Sequence, residues 1–294
     1  MTLSALGLVV VALVSGAPPA HAVEFWRSVV RNTYTPPAGS DVAALSAELS
    51  ELLGSPDPEL RDEIAYSTLA SWIYQKRILE PDALRRLMAQ WEANLEKGLG
   101  TAGSDDVFKR SFSALALSVL VARDNAAPFL EPAEFHQLRD AALRYLADEK
   151  DLRGFDEKKG WIHSAAHTAD LLKVLGRSRY IDAAGQQLIL QGITRKLQAA
   201  SVVFTHGEDE RLARAVLSIV NRKDFEQEGF RAWLTGSRPT PAAGPLPTAA
   251  HLRASQNVKN FLAKLQVVLS GDLQPSESVQ AARDSVRAVL KDLF

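Results

Sequence analysis

Every long apolar segment of this chain repeats its hydrophobic residues at helical spacing, and short breakers separate one segment from the next. No stretch offers the period-two alternation of a half-buried strand. Helices patterned this way must bury their apolar stripes against one another. The pattern predicts helices over 41–53, 59–75, 82–97, 105–123, 132–149, 160–175, 182–199, 208–220, 225–234, 249–269 and 277–293. Several starts carry their own explanation. Pro56-Asp57-Pro58 and Glu80-Pro81-Asp82 combine prolines suited to a first turn with acids suited to the positive end of the helix dipole. Ser104-Asp105-Asp106 is a capping sequence. Helices of this length on short turns pack as antiparallel pairs, and pairs in series make a curved, HEAT-like α-solenoid. The expected fold is therefore all-α, more than half helix and essentially free of sheet. No tight repeat consensus is visible, so an irregular helical bundle is the rival arrangement.

Two segments break the helical run. At the N-terminus, residues 3–14 are almost wholly apolar and lead through Pro18-Pro19 to Ala20-His21-Ala22, an A-x-A pattern. The run is shorter than the roughly 20 residues a spanning helix needs, so it reads as a signal peptide over 1–22, cleaved near Ala22. No lysine or arginine precedes Arg27, which departs from the usual basic start of such a signal. The expected location is periplasmic or secreted, with no stable membrane insertion after cleavage. The second break is 236–248, where Pro239, Pro241, Pro245 and Pro247 alternate with Gly236, Gly244 and small residues. It reads as an extended linker between a helical-repeat domain over 23–235 and a C-terminal helical hairpin over 249–294.

Chemistry concentrates at Gly160-Trp161-Ile162-His163-Ser164-Ala165-Ala166-His167-Thr168-Ala169-Asp170. On a helix of 3.6 residues per turn, His163, His167 and Asp170 fall on one stripe at i, i+4 and i+7. Two such imidazoles and a carboxylate can hold a divalent metal, or can form a proton-transfer set with Asp170 orienting His167. They can equally be hydrogen-bonded packing residues. Two more polar helix starts lie two elements away on either side: Asp105 to Ser113, with Asp106 and Arg110, and Thr205 to Arg211, with Glu208 and Arg211. In a stack of hairpins every second helix shares a wall, so these three starts are expected to adjoin. Arg110, Arg153, Trp161 and Arg211 are the candidate ligand-binding residues. His163, His167, Asp170 and Glu208 are the candidate catalytic ones.

Arg110-Ser111-Phe112-Ser113, Arg153-Gly154-Phe155, the Gly160-Trp161-x-His163-x-x-x-His167-x-x-Asp170-Leu171-Leu172 run and Gly207-Glu208-Asp209-Glu210-Arg211, with Gly98-Leu99-Gly100 before them, occur in order. Together they resemble a bacterial family known as domain of unknown function 2785, over roughly 57–234. The resemblance implies a helical, HEAT-like protein and supplies no activity.

Absences narrow the function further. The formal net charge is −1, and no basic run with interleaved aromatics suggests nucleic-acid binding. Cysteine is missing, which removes disulfides, thiolate metal sites and a cysteine nucleophile. No Gly-x-Ser-x-Gly elbow, P-loop, dinucleotide fingerprint or His-Glu-x-x-His occurs. The expected function is a binding or scaffolding protein of the cell envelope, recognising a peptide, another protein or a small polar ligand. The alternative is a hydrolase, metal-dependent or not, built on His163, His167 and Asp170. The linker makes the first prediction. Its prolines leave few backbone hydrogen bonds to hold it, so limited proteolysis should cut first within 236–247. First cuts elsewhere, with this segment intact, would show a packed connection instead.

Overall fold

Side-chain caps and first-turn prolines set where several helices begin. The computed structural model describes residues 21–238, 244, 246–271 and 273–293. Residues 1–20 of the expected signal peptide and 239–243 and 245 of the expected linker lie outside them. Among the described residues the chain forms α1 (Val23–Arg31), α2 (Val42–Leu52), α3 (59–75), α4 (Pro81–Glu96), α5 (Asp106–Ala126) and α6 (Pro132–Asp148). A two-stranded hairpin follows, β1 (Phe155–Asp156) with β2 (Gly160–Trp161). Then come α7 (Ser164–Leu175), α8 (Ala183–Ala199), α9 (Glu208–Val220), α10 (Gln227–Gly236), α11 (Ala249–Leu269) and α12 (Glu277–Leu293). Asp41 accepts the N–H groups of Ala43 and Ala44 and so starts α2. Asp182 accepts from Gly185 to start α8. In α6, Glu131 and Glu134 close a capping box. Helix α3 widens into π-type turns over Glu59–Tyr66 and Ser71–Gln75. No helix among the described residues is long and apolar enough to cross a membrane.

Two layers result. Helix α5 packs on α7, α7 on α9 and α9 on α11, while α4 packs on α6, α6 on α8, α8 on α10 and α10 on α12. Alternate helices are thus neighbours, and α5, α7 and α9 run the same way. Lys159, just before α7, reaches Asp105 before α5, and at the other end Asn125 of α5 donates to the Val174 carbonyl of α7. Helices α11 and α12 continue the two layers, packing on α8, α9 and α10. Asn257 of α11 accepts the Phe204 N–H and donates to the Val202 carbonyl, fastening α11 to the loop before α9. Each of three large buried rings at the N-terminal end has its indole N–H satisfied: Trp26 on Glu48, Trp72 on the Tyr34 carbonyl and Trp91 on Ser50.

The expectation of a chain essentially free of sheet holds, with one hairpin that the sequence reading did not place: Phe155 pairs with Trp161 and Asp156 with Gly160 in antiparallel register. The Asp156 carboxylate holds that turn by accepting the Lys158 and Lys159 N–H groups. Consequently α7 begins at Ser164 rather than at 160. Helix α1 was not expected, since its apolar face is short, yet Trp26 and Val29 are fully buried.

The layers are joined through a buried ion pair. Arg110 of α5 is inaccessible and donates from Nε to Glu149 Oε2 at 2.6 Å and from Nη2 to Oε1 at 3.1 Å. Arg110 also donates to the Lys97 carbonyl after α4, and Lys196 of α8 donates to the Glu149 carbonyl. Arg110 is therefore a structural residue and does not face a ligand. Removing one partner of such a pair strands the other charge, so Arg110→Ala and Glu149→Ala should each cost about 3–5 kcal/mol of unfolding free energy. Chemical denaturation measures this, and a loss below about 1 kcal/mol would mean the pair is not a cross-link.

Candidate functional site

The three polar helix starts do adjoin, but their side chains divide between core and surface. His163 is the N-cap of α7 and adopts a left-handed backbone, φ 50°. That conformation is costly for a residue with a Cβ and persists only where surrounding contacts over-determine it. Here they do. The His163 ring stacks on Trp161 at 4.2 Å between centroids, with the planes 23° apart. Its Nε2 lies 3.0 Å from the His206 carbonyl, and its own carbonyl accepts the His167 N–H. Gly154 lets this happen, because a Cβ there would lie 2.4 Å from the His206 ring.

Hydrogen-bond partners assign both tautomers. A carbonyl only accepts, so His163 carries its proton on Nε2. Ser111 of α5 gives its single hydroxyl proton to the Ile162 carbonyl, so toward His167 Nδ1, 2.9 Å away, it can only accept. His167 thus carries its proton on Nδ1, and no described residue donates to its Nε2. Both rings are neutral. Burial, assisted by the Arg211 charge, lowers His163 to about 4. Burial, then the neighbouring His163 and Arg211, push His167 well below the ordinary imidazole range. Phe112 meets the His167 ring edge-on at 4.8 Å, and the two imidazoles are 5.7 Å apart at 85°.

Asp170 does not orient His167. Its two oxygens accept from Arg211 Nη1 of α9 at 2.6 Å and from Lys173 Nζ at 2.8 Å. The expected metal set is not assembled. His163 precedes the helix instead of lying on its stripe, and Asp170 is turned to cations. Among the described residues no group of three or more His, Asp or Glu is arranged to hold a metal ion. Glu208 is buried and accepts the His206 N–H at 2.8 Å. Arg153 is tied to the buried Asp151 at 2.6 Å and to the Ser104 carbonyl. Asp106 accepts from Ser104.

What reaches the surface is different. Trp161 is 44% and Phe155 48% exposed, their rings meeting at 4.8 Å. Tyr66, at the end of the first wide-turn segment of α3, stands in the field of Asp170 and Arg211, and burial raises its hydroxyl to about 12. Tyr66 and Ser111 were not among the sequence candidates. Ser111 sat inside the Arg110 cluster, whereas nothing marked Tyr66. Arg61 of α3 supports the whole edge: its guanidinium lies 4.2 Å from the Phe108 ring centroid and 4.7 Å from that of Phe112. It also donates to the Lys159 carbonyl in the hairpin turn.

Fold and site together define a class: an all-α protein in two alternating layers, with a neutral histidine pair under an exposed aromatic edge. The chain belongs to the family described as Protein of unknown function (DUF2785), whose family model matches residues 95–267. The match starts later than the sequence resemblance and runs on through most of α11. No curated protein and no solved structure matches the chain.

The histidine assignment carries a pH prediction. Both rings titrate lower in the folded state than unfolded, so below about pH 6.5 the unfolded chain takes up protons that the folded chain refuses. The contribution is complete above that pH, is lost as pH falls, and for His163 levels off below about 4. From pH 7.5 to 5 each histidine should cost on the order of 2 kcal/mol of stability. Chemical denaturation at the two pH values measures the loss, and His163→Gln with His167→Gln should flatten it. An unchanged slope in the double variant would overturn the neutral assignment.

Proposed function

We propose that this protein is a binding or scaffolding protein: a HEAT-like α-solenoid whose recognition edge is centred on Trp161, exported to the periplasm or beyond the cell. The observation that carries this reading is the state of Trp161. A large ring nearly half exposed would ordinarily be mobile. This one is braced on His163, flanked edge-on by Phe155 and joined to a hairpin that Arg61 and Asp156 hold in place. Rigid, exposed aromatic anchors dominate recognition energetics because they bury much area at small entropic cost. The alternation of α5, α7, α9 and α11 supports a stacked array. Helix α1 begins at Val23, the residue after the expected cleavage point, which suits an export signal ending at Ala22.

The hydrolase reading draws on the free Nε2 lone pair of His167. Its chemistry is unfavourable, since a general base works best with a pKa near the working pH and burial holds His167 far below that. The ligand in the binding reading is a peptide, a protein segment or a small polar molecule, and the formal net charge of −1 argues against nucleic acid. Trp161→Ala removes an exposed ring and should leave the fold intact. In fluorescence polarisation against arrays of labelled peptides, the wild-type chain should retain a set that the variant binds about tenfold or more weakly. Equal binding by both would reject Trp161 as the anchor.

A further inference from the structure

A groove of about 870 Å³ lies between α9 and α11, and none of its lining residues belongs to the Trp161 edge. Its wall on α9 is Glu210, Arg214, Leu217 and Asn221. These fall at i, i+4, i+7 and i+11, one helix stripe about 16 Å long. On the other side stand Lys264, Val267 and Val268 of α11, with Leu273 from the turn into α12. Charge gathers at one end. The Arg214 hydrogen bond, then the Arg214 and Lys264 charges, hold the Glu210 carboxyl below its usual range. The rest of the groove is apolar where water would ordinarily meet polar groups. Val267 is 66% and Leu273 97% exposed, and Leu217 and Val268 beside them are only partly buried. Helix α11 is the last of its layer, with α9 on one flank. The end of a helical stack stays soluble by presenting a polar outer face. This end keeps valine and leucine open to solvent instead, which marks a surface that another molecule covers.

Charge decides between occupants. Arg214 donates from Nε and Nη2 to Glu210 Oε1 at 3.0 and 2.7 Å. Lys264 makes no hydrogen bond to a described residue, so the charged end sets two cations against one acid among the described lining residues. Helix α11 extends the bias, carrying Arg253, Lys259 and Lys264 and no aspartate or glutamate. A second copy pairing α11 with α11 would therefore set cations against cations. A small anionic amphiphile needs a pocket that encloses most of its surface, whereas Val267 and Leu273 lie open. A helix needs only an open groove with apolar contacts along its length. We propose that this groove docks an amphipathic helix of a partner protein, acidic on the turn that meets Arg214 and Lys264 and apolar along Leu217, Val267 and Leu273. Three turns of helix match the length of the α9 stripe.

The test is a selection on the full chain. The probe is a display library of helical peptides of about fifteen residues, apolar at i, i+3, i+4 and i+7 and random elsewhere. The chain should enrich peptides with aspartate or glutamate at one end of the apolar run. Two variants at exposed positions, which leave the core untouched, check the contact. Lys264→Glu should weaken the selected peptides about fivefold and bind their lysine-substituted counterparts better than the wild-type chain does. Val267→Asp should weaken them about tenfold, by placing a charge against the apolar run, and should leave Trp161-dependent binding unchanged. No enrichment, enrichment without an acidic preference, or equal binding by both variants would overturn the proposal. Peptides lost on Trp161→Ala belong to the Trp161 edge, an outcome that rejects the groove and supports the binding reading above. A dimer in sedimentation that Val267→Asp abolishes would replace the partner helix with a second copy. Binding of laurate without any peptide would replace it with a small amphiphile.

Discussion

The buried pair between Arg110 and Glu149 is the constraint on which the rest of the arrangement depends. Two apolar helix layers can slide against each other at little cost, since dispersion and burial are not directional. A guanidinium fork on a carboxylate is directional, and its two hydrogen bonds tie α5 in one layer to the end of α6 in the other. From Glu149 the network spreads along the backbone. Its carboxylate also accepts the Asp151 N–H, Asp151 holds Arg153 and the Gly103 N–H, and the Asp151 carbonyl accepts the Ser164 hydroxyl at the start of α7. The loop that leads into the hairpin is therefore set by the pair that joins the layers. Trp161 and His163 inherit their positions from it.

Parallel alternate helices also explain how charge is distributed. Because α5, α7 and α9 point the same way, their positive dipole ends share one edge and their negative ends the other. Asp105, Asp106, Glu208 and Asp209 gather at the first. At the second, Arg177, Arg179, Arg222 and Lys223 line a cleft of about 670 Å³. That cleft looks like an anion site until its hydrogen bonds are followed. Arg222 donates to the carbonyls of Gly176, Ser178 and Ile181, and Arg179 to the Leu130 carbonyl and the buried Asp124. Arg179 and Arg222 are spent on the connections between helices, on the carbonyls that follow α7 and precede α6 and α8 and on the Asp124 carboxylate.

Much of the fold was legible because helix signals are local. Helices α9, α11 and α12 run between the expected residues, and α2 and α8 start directly after Asp41 and Asp182, where helices were expected to begin. The adjacency of the starts of α5, α7 and α9 followed from hairpin alternation alone. Side-chain direction was not legible. Arg110 and Arg211 look alike in sequence, each three or four residues into an acidic helix start, yet one is buried on Glu149 and the other reaches Asp170 at the surface. A turn of a helix decides that, and the turn depends on neighbours distant in sequence. The histidine stripe failed for a related reason. His163 matched the helical period, but the hairpin that precedes it forces a left-handed N-cap. Tyr66 carried no signal, because its role comes from α3 lying beside α5.

The left-handed His163 shows why the site takes the form it does. Its backbone strain is offset by three contacts made only in this conformation: the Trp161 stack, the His206 carbonyl and the start of α7. A charged imidazole would gain from the carbonyl, but it would lose more by desolvation and by facing Arg211. Neutrality is thus a condition of the geometry. Once His163 is neutral and fixed, His167 is enclosed between it, Phe112 and Ser111, and its tautomer is no longer free to change.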